Sequence, residues 1–511
     1  MKNPKIAIIG AGASGLFAAL EAQSLGYDVT LYESHSLPGG CASWFRRSSK
    51  IGSLQFDVGA TVLDGLSPAS LIHRRLESWG VKPAPFHKMK AMHYQLSGND
   101  TSILTLRTHS PELWIDDLVK IFPEDSEFLN STFRKMGRLA QKLKTFVEGV
   151  PHYPLQSFYD LQNNLRLLPQ VPSLARALWQ TGSLCFDRIL EENKISNRLR
   201  EWIDMNLLIT TQMTAQNLYT PWASLALFFY SLGAGTTEGG MRGLMEALLR
   251  RLMELPHSHV KMRTRVHSIF RKDKVFFVNA QKTGQGEIFE DGPYQTIVSS
   301  IPRFNTQALF PNERIFERRW DWERHRDDLW GAVTAYVALK DVQGLPAEPF
   351  NFHSKLCSGE GAEGNDVYMS FSARDDLARC PRGYRVATLS THTRLKHWSL
   401  PQERYAQQKL SFQKVFERHL QRLSSFNQAK PLEIEHIEIG TPRTFEHYTG
   451  RLEGNVGGLP MSQSNTLQSP PSQRTLIPGL YQIGDTSFPG QSVYACALGA
   501  LSCVEKLKRE C

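Results

Sequence analysis

The sequence predicts an α/β fold organised around a parallel sheet that starts near the N-terminus. Three observations carry this. Residues 5–33 read as strand, glycine turn, helix and strand. A second strand–turn–helix runs from Gly479 through Gly484-Asp485 into an apolar-faced helix near the C-terminus. Between them, Thr296-Ile297-Val298-Ser299-Ser300-Ile301-Pro302 reads as a buried strand meeting a turn. The length, 511 residues, suits roughly two to four domain-sized units. With 41% hydrophobic and 21% charged residues, the composition excludes a disordered, collagen-like or coiled-coil chain.

Lys5-Ile6-Ala7-Ile8-Ile9 is nearly all apolar, as a strand buried on both faces requires. Gly10-Ala11-Gly12-Ala13-Ser14-Gly15 follows, and Leu16, Ala19, Leu20 and Leu25 mark one face of a helix that Gly26 closes. Asp28-Val29-Thr30-Leu31-Tyr32-Glu33 is the second strand, and its acid lies 23 residues after Gly10. Each part has a physical task. Gly10 permits the tight turn, Gly12 lets a pyrophosphate approach the backbone, and Gly15 lets helix and strand pack closely. The helix opening at Ala13 and Ser14 offers free N–H groups and a positive dipole end to phosphate. Glu33 can accept from both ribose hydroxyls of an adenosine, which favours FAD or NAD over NADP.

Gly39-Gly40 follows Glu33 closely. NAD does not need a second glycine pair there, whereas a longer cofactor would use one to lie along the backbone. Phe56-Asp57-Val58-Gly59-Ala60-Thr61 adds another glycine turn. Residues 110–255 are expected to be mostly helical, with breaks at Pro151–Pro154, Pro169 and Pro172. Thr236 to Met241 is a turn leading into a helix with Leu244, Leu248, Leu249 and Leu252 on its apolar face. Strands are expected over Val260–Ile269, Lys274–Val278, Ala332–Leu339 and Val386–Leu389, and a Gly/Ser/Pro-rich loop over Gly454–Pro471. At the C-terminus Gly484-Asp485, a turn through Phe488-Pro489-Gly490-Gln491 and a helix from Gln491-Ser492-Val493 complete the pattern. Lys506, Lys508 and Arg509 suit the negative end of that helix dipole.

The net charge is +9. Residues 131–200 hold 11 Lys/Arg against 5 Asp/Glu, interleaved with Phe146, Tyr153, Phe158, Tyr159 and Trp179. That mixture suits an anionic membrane surface, a nucleic acid or simply a solvated helical face. No zinc-finger spacing, RNP-like motif or basic tail supports nucleic acid as a partner. The seven cysteines, Cys41, Cys185, Cys357, Cys380, Cys496, Cys503 and Cys511, are odd in number and form no C-x-x-C. They fit a reducing, cytosol-facing compartment. No apolar run reaches the roughly 18 residues of a spanning helix. The expected location is cytoplasmic, peripherally associated with a membrane.

These motifs together resemble the FAD-binding amine-oxidase superfamily, and within it the phytoene desaturase / carotenoid isomerase family. The N-terminal unit, Pro38-Gly39-Gly40 and Phe56–Thr61 match in order and spacing. Gly239-Gly240-Met241 is similar to the family's central element, and the run from Gly479 to Gln491 to its C-terminal flavin motif. Pro38-Gly39-Gly40-Cys41 followed by Phe56–Thr61 most resembles the carotenoid 3′,4′-desaturase subgroup. One position departs: many superfamily members carry Arg after the Gly-Gly pair, where this chain has Cys41. The resemblance implies a Rossmann-like FAD-binding domain (amine-oxidase / glutathione-reductase type) assembled from residues 1–90, 235–305 and 431–511. A discontinuous α+β substrate and membrane-facing domain would take 91–234 and 306–430. It implies that Val266 lines the adenine, that Asp485 hydrogen-bonds the ribityl or phosphate region, and that the helix at Gln491–Val493 points at the flavin pyrimidine. No metal is expected.

The implied activity is FAD-dependent carotenoid desaturation, by hydride transfer to flavin N5 and loss of a proton, with a quinone or oxygen as electron acceptor. Glu446 or His447 could take the proton, or could equally be a solvated edge. Trp222, Phe228, Phe229 and Tyr230 could line a polyene tunnel or belong to ordinary core. Redox-neutral cis–trans isomerisation with reduced FAD is a second reading. A non-enzymatic prenyl/lipid-binding escort is a third, which the intact glycine motifs oppose. An amine oxidase would need a polar or aromatic cage that the sequence does not display.

Overall fold

The computed structural model describes residues 3–98, 101–284, 286–342, 344–426, 431–462, 466–467 and 469–508. Arg509 and Cys511 lie outside them. A five-stranded parallel sheet has the spatial order Leu480–Gln482, Thr296–Ser299, Lys5–Ile9 (β1), Asp28–Tyr32 (β2), Ser258–Lys261. Chain order reverses beside β1, the switch point where such sheets open a crevice at their carboxyl ends. The residues just past these ends are Gly10, Glu33, Ser300 and Gly484.

The alternation of β1 explains its layers. Ile6 and Ile8 pack into the helical core beneath helix Ala13–Ser24 (α1). Ala7 and Ile9 pack on the opposite side against Val266, Ile269 and Val278 of a three-stranded antiparallel sheet, Thr264–Lys272, Val275–Lys282 and Ile288–Tyr294. Helix α1 is buried from Ala13 to Ala22 because helix Val493–Leu507 covers the side away from the sheet. Its close seat on β1 depends on Gly15, where a Cβ would overlap the Gly10 carbonyl oxygen and come within 2.8 Å of Ser300 Oγ. Lys506 departs from the sequence expectation: it is buried and donates to Gln473 Oε1 at 2.8 Å, so it does not serve the helix end from solvent.

A second sheet has seven strands in the order Ile434–Gly440, Trp330–Lys340, Tyr384–Arg394, Asp366–Phe371, Phe350–Lys355, Ala91–Gln95, Leu104–Arg107. All neighbours are antiparallel except Phe350–Lys355 with Ala91–Gln95. Val333, Ala335, Val337 and Leu339 face helix Gln402–Gln421 through Phe412, Phe416 and Leu420. Strand Ile434–Gly440 belongs to this sheet. Residues 434–440 therefore pass from the cofactor-domain segment expected over 431–511 to the second domain.

Residues 111–254 are mostly helical, and the break after Glu148 falls at the expected prolines. Pro172 instead opens helix Val171–Gln180, where its missing N–H costs nothing. Asp57 ties the layers together. Buried to 1% exposure, it accepts from Met241 N at 2.9 Å at the start of helix Arg242–Glu254 and pairs with Arg379 at 3.2 Å. The Gly239-Gly240 pair thus serves this buttress: a Cβ on Gly240 would overlap the Asp57 carboxylate.

The glycines can be told apart experimentally. Gly15→Ala is expected to abolish stoichiometric cofactor in the purified protein, because the added methyl meets backbone. Gly26→Ala, at φ +88° with nothing within 4 Å of a Cβ, is expected to keep full cofactor occupancy. It should cost about 1–2 kcal/mol in thermal or urea unfolding.

Candidate active site

The carboxyl ends of the parallel sheet open into a cavity of about 730 Å³ that continues between the helical layer and the seven-stranded sheet. At the sheet end two glycine turns lie side by side. Gly39 N donates to Ala11 O at 2.8 Å, Gly12 and Gly39 form a parallel bridge, and a Cβ on Gly40 would sit 3.5 Å from Gly12 Cα. Gly10 has φ +97° and Gly39 φ +108°, a region that glycine enters without strain. Glu33 accepts from Ala11 N at 2.8 Å and His35 N at 2.7 Å, which fixes its carboxylate at the cavity edge. Burial raises its pKa above the ordinary carboxylate value, and the two N–H donors partly offset this.

Ser492 caps helix Val493–Leu507, its Oγ accepting from Ala495 N at 3.0 Å, and both Ser492 and Val493 line the cavity. Ser492 holds φ +91°, costly for a residue with a Cβ. The capped turn directs the helix N-terminus, worth about half a positive charge, towards the same space. Gln491 reaches across to donate to Thr210 O.

Of the residues expected at the cofactor, Gly10, Gly12, Ala13, Ser14, Glu33, Gly39 and Gly40 line this one cavity. So do Gly484, Asp485, Gln491, Ser492 and Val493. Gly15 acts from behind by setting the helix–strand distance. Val266 does not line the cavity; its side chain packs in the layer below Ala7, Ile9 and Tyr32. Glu446 and His447 are also elsewhere. Both are exposed on helix Pro442–Thr449, which buries Pro442 and Phe445 instead. Glu446 Oε1 accepts from Glu453 N at 3.2 Å, a surface contact. Trp222, Phe229 and Tyr230 line the cavity as a tunnel wall would, whereas Phe228 is core, its ring tilted against Phe133 with centroids 4.8 Å apart.

Sequence reasoning named Glu33 and Asp485 but missed the cations of the wall and the carboxylates Glu438 and Asp64. Arg47 makes a two-pronged pair with Glu438 at 2.7 and 2.9 Å, Lys144 meets Asp64 at 2.7 Å, and Arg451 meets Asp485 at 2.7 Å. These partners lie between 34 and 391 positions apart, so no local pattern announces them. His392 is also on the wall, its pKa pushed down to about 4 by burial, with His353 and Arg394 adding to the effect. It is neutral at pH 7. The wall therefore carries cations already matched by carboxylates, with extensive apolar surface from Val147, Ile209, Leu225, Ala226 and Leu498.

The residues fit FAD. The doubled glycine cradle is longer than a mononucleotide needs, and Glu33 and the capped helix N-terminus line the same cavity. Tenfold or greater loss of FAD affinity is expected for Glu33→Gln, since a hydrogen bond to a charged acceptor is worth about 1.5–3 kcal/mol. In the wild type, affinity should fall as the pH drops through the raised Glu33 pKa and the carboxylate is neutralised. The variant should lack that pH dependence in a fluorescence titration.

The comparisons agree with this geometry. The description "NAD(P)-binding Rossmann-like domain" matches residues 8–76. Prolycopene isomerase 1, chloroplastic, of an Oncidium hybrid cultivar is 25% identical over 98% of this chain and 83% of its own length. An oxidoreductase from Methanosarcina mazei superposes with TM-score 0.59 at 15% identity, covering 98% of this chain and 100% of its own. Cyclohexylamine oxidase from Brevibacterium oxydans does so with TM-score 0.56 at 14% identity, covering 99% and 100%. Glycine cradle, capped helix and full-length similarity converge: over nearly its whole length the chain is similar to prolycopene isomerases, its fold is that of the flavin-type oxidases it superposes on, and its cradle fits FAD.

Proposed function

We propose that the protein acts on a carotenoid polyene and forms a new C=C bond in it, at C-3′,4′. The observation that carries the reading is the continuity of one cavity from the glycine cradle into an apolar tunnel. Bound FAD supplies a two-electron acceptor for hydrogen leaving carbon. The chain's own residues do the rest. Trp222, Leu225, Ala226 and Phe229, from helix Thr220–Phe228 and the turn after it, give an apolar wall that orients a neutral chain and keeps water out. The Ser492-capped helix end offers its positive dipole where negative charge is stored after substrate oxidation. Desaturation removes two hydrogens, so turnover needs an external oxidant, a quinone or oxygen. The 3′,4′ position rests on the likeness of the Gly40-Cys41 and Phe56–Thr61 motifs to that subgroup.

A second reading, redox-neutral cis–trans isomerisation, is favoured by the full-length similarity to a prolycopene isomerase. One assay separates them. The protein is incubated with liposomes carrying a carotenoid saturated at the 3,4 bond, FAD and a quinone. A red-shifted pigment lighter by two hydrogens is expected. Unchanged mass with altered isomer peaks would replace the first reading by the second. A protein that binds no flavin would leave a lipid escort.

Access to such a substrate calls for peripheral membrane attachment, from the cytosolic side. Among the described residues no helix is long and apolar enough to cross a membrane. Leu155, Phe158, Leu165, Leu168 and Trp179 are at least half exposed, Phe158 at 75% and Trp179 at 82%, and they lie within the basic segment. Helix Val171–Gln180 packs through Leu174 and Leu178 on Leu139 and Leu143 of helix Arg134–Glu148, whose Lys144 and Val147 line the tunnel. Phe158→Ser with Trp179→Ser is expected to lower cosedimentation with anionic vesicles several-fold while FAD content is unchanged.

A further inference from the structure

Arg451 stands apart from the other cations of the cavity wall. Arg47 is spent on Glu438, and Lys144 on Asp64 and the Leu232 carbonyl. Arg451 is only 8% exposed, yet it lines the cavity together with Gly40, Cys41, Gly484 and Asp485. Its Nη2 donates to Asp485 Oδ2 at 2.7 Å and Asn455 Oδ1 at 3.3 Å, and Nε donates to Asn455 O. A guanidinium carries five N–H donors. Among the described residues no oxygen accepts from Nη1. Burial alone would lower the Arg451 pKa, but Asp485 and Cys41 reverse the shift, so the group stays charged.

The loop that delivers this side chain is built for the purpose. Gly450, Gly454, Gly457 and Gly458 all have φ near +70°. A Cβ on Gly454 would overlap Pro442 O, and one on Gly458 would overlap Asp485 O. The loop is thereby pressed onto the Gly484-Asp485 turn. On its other side the guanidinium lies against the Cys41 thiol, whose pKa burial raises and Arg451 draws back down. The side chain thus bridges the two glycine-containing turns at Cys41 and Asp485.

We infer that Arg451 is the side-chain cation for the diphosphate–ribityl stretch of FAD, and that residue 41 is uncharged because a second cation there would face Arg451 across a buried contact. The inference depends on FAD binding and not on which carotenoid reaction the protein performs. Asp485 holds the guanidinium in place and tempers its charge, while Nη1 remains available to an anionic oxygen.

The test is a double-variant cycle read as FAD affinity, by flavin fluorescence at fixed ionic strength, on wild type, R451Q, R451K, C41R and C41R/R451Q. R451Q is expected to weaken FAD at least tenfold and R451K less. C41R alone is expected to weaken FAD, because two guanidinium groups then compete for one site. C41R/R451Q should bind FAD more tightly than either single variant. An R451Q protein that binds FAD within twofold of wild type would overturn the inference, even if its melting temperature falls, since Arg451 would then be a structural clamp only. Additive losses in the double variant would also overturn it. Should R451Q fail to fold, R451K and C41R decide: both must weaken FAD, and wild-type affinity in either defeats the inference.

Discussion

The structure depends on the contact between two glycine-rich turns. Gly10–Gly15 and Gly39–Gly40 touch backbone to backbone, through Gly39 N to Ala11 O and the Gly12–Gly39 bridge. A methyl group at Gly15 would push α1 off β1, and one at Gly39, where Ala42 O would lie 2.7 Å away, would open the second turn. From this contact the bonds spread outward. Ala60 N donates to Cys41 O, Val58 N to Ser43 O, and the Tyr336 hydroxyl to Val58 O at 2.7 Å. The cradle is thus fastened to strand Trp330–Lys340 of the seven-stranded sheet, and Asp57 fastens the same loop to helix Arg242–Glu254. Cofactor site and tunnel wall share one hydrogen-bonded frame.

The wall itself follows from strand alternation. Along Trp330–Lys340, odd-numbered residues feed the core under helix Gln402–Gln421, while Ala332, Thr334 and Tyr336 face the cavity. The cations there are matched by carboxylates, and burial holds His392 neutral. A neutral, extended apolar molecule therefore meets no uncompensated charge along the tunnel. Strong fields are confined to the cradle, where backbone dipoles and the helix end face an anionic cofactor.

Much of this was legible in the sequence because it is local. The strand–turn–helix–strand of residues 5–33 needs only neighbouring residues to declare it, and the Gly484-Asp485 turn leading to Val493 is similar. Their placement around one cavity followed. Strand Ile434–Gly440 shows where reading failed. Its alternation, Ile-Glu-His-Ile-Glu-Ile-Gly, fits a half-buried antiparallel strand, but proximity to the C-terminal motif drew it into the wrong domain. Glu446 and His447 attracted attention by residue type alone, and the burial of Phe445 turns them outward. Val266 lies on strand Thr264–Lys272, and its side chain faces the core layer. The pairs Arg47–Glu438 and Lys144–Asp64 were invisible because only the tertiary fold brings their members together.

The parallel sheet has a further consequence for how the chain is made. Its central strand, Lys5–Ile9, pairs on one side with Thr296–Ser299, which in turn pairs with Leu480–Gln482. The helix that covers α1 begins only at Val493. Lys5–Ile9 can pair at once with Asp28–Tyr32, but its second neighbour is made only when synthesis reaches Ser299, and α1 stays uncovered on one side until Val493–Leu507 arrives. Such remote pairing is slow and leaves apolar surface open to misassociation. The nascent protein cannot hold FAD in its complete cradle while it is being synthesised. Cofactor loading is a late event, and it coincides with the closing of the last layer of the fold.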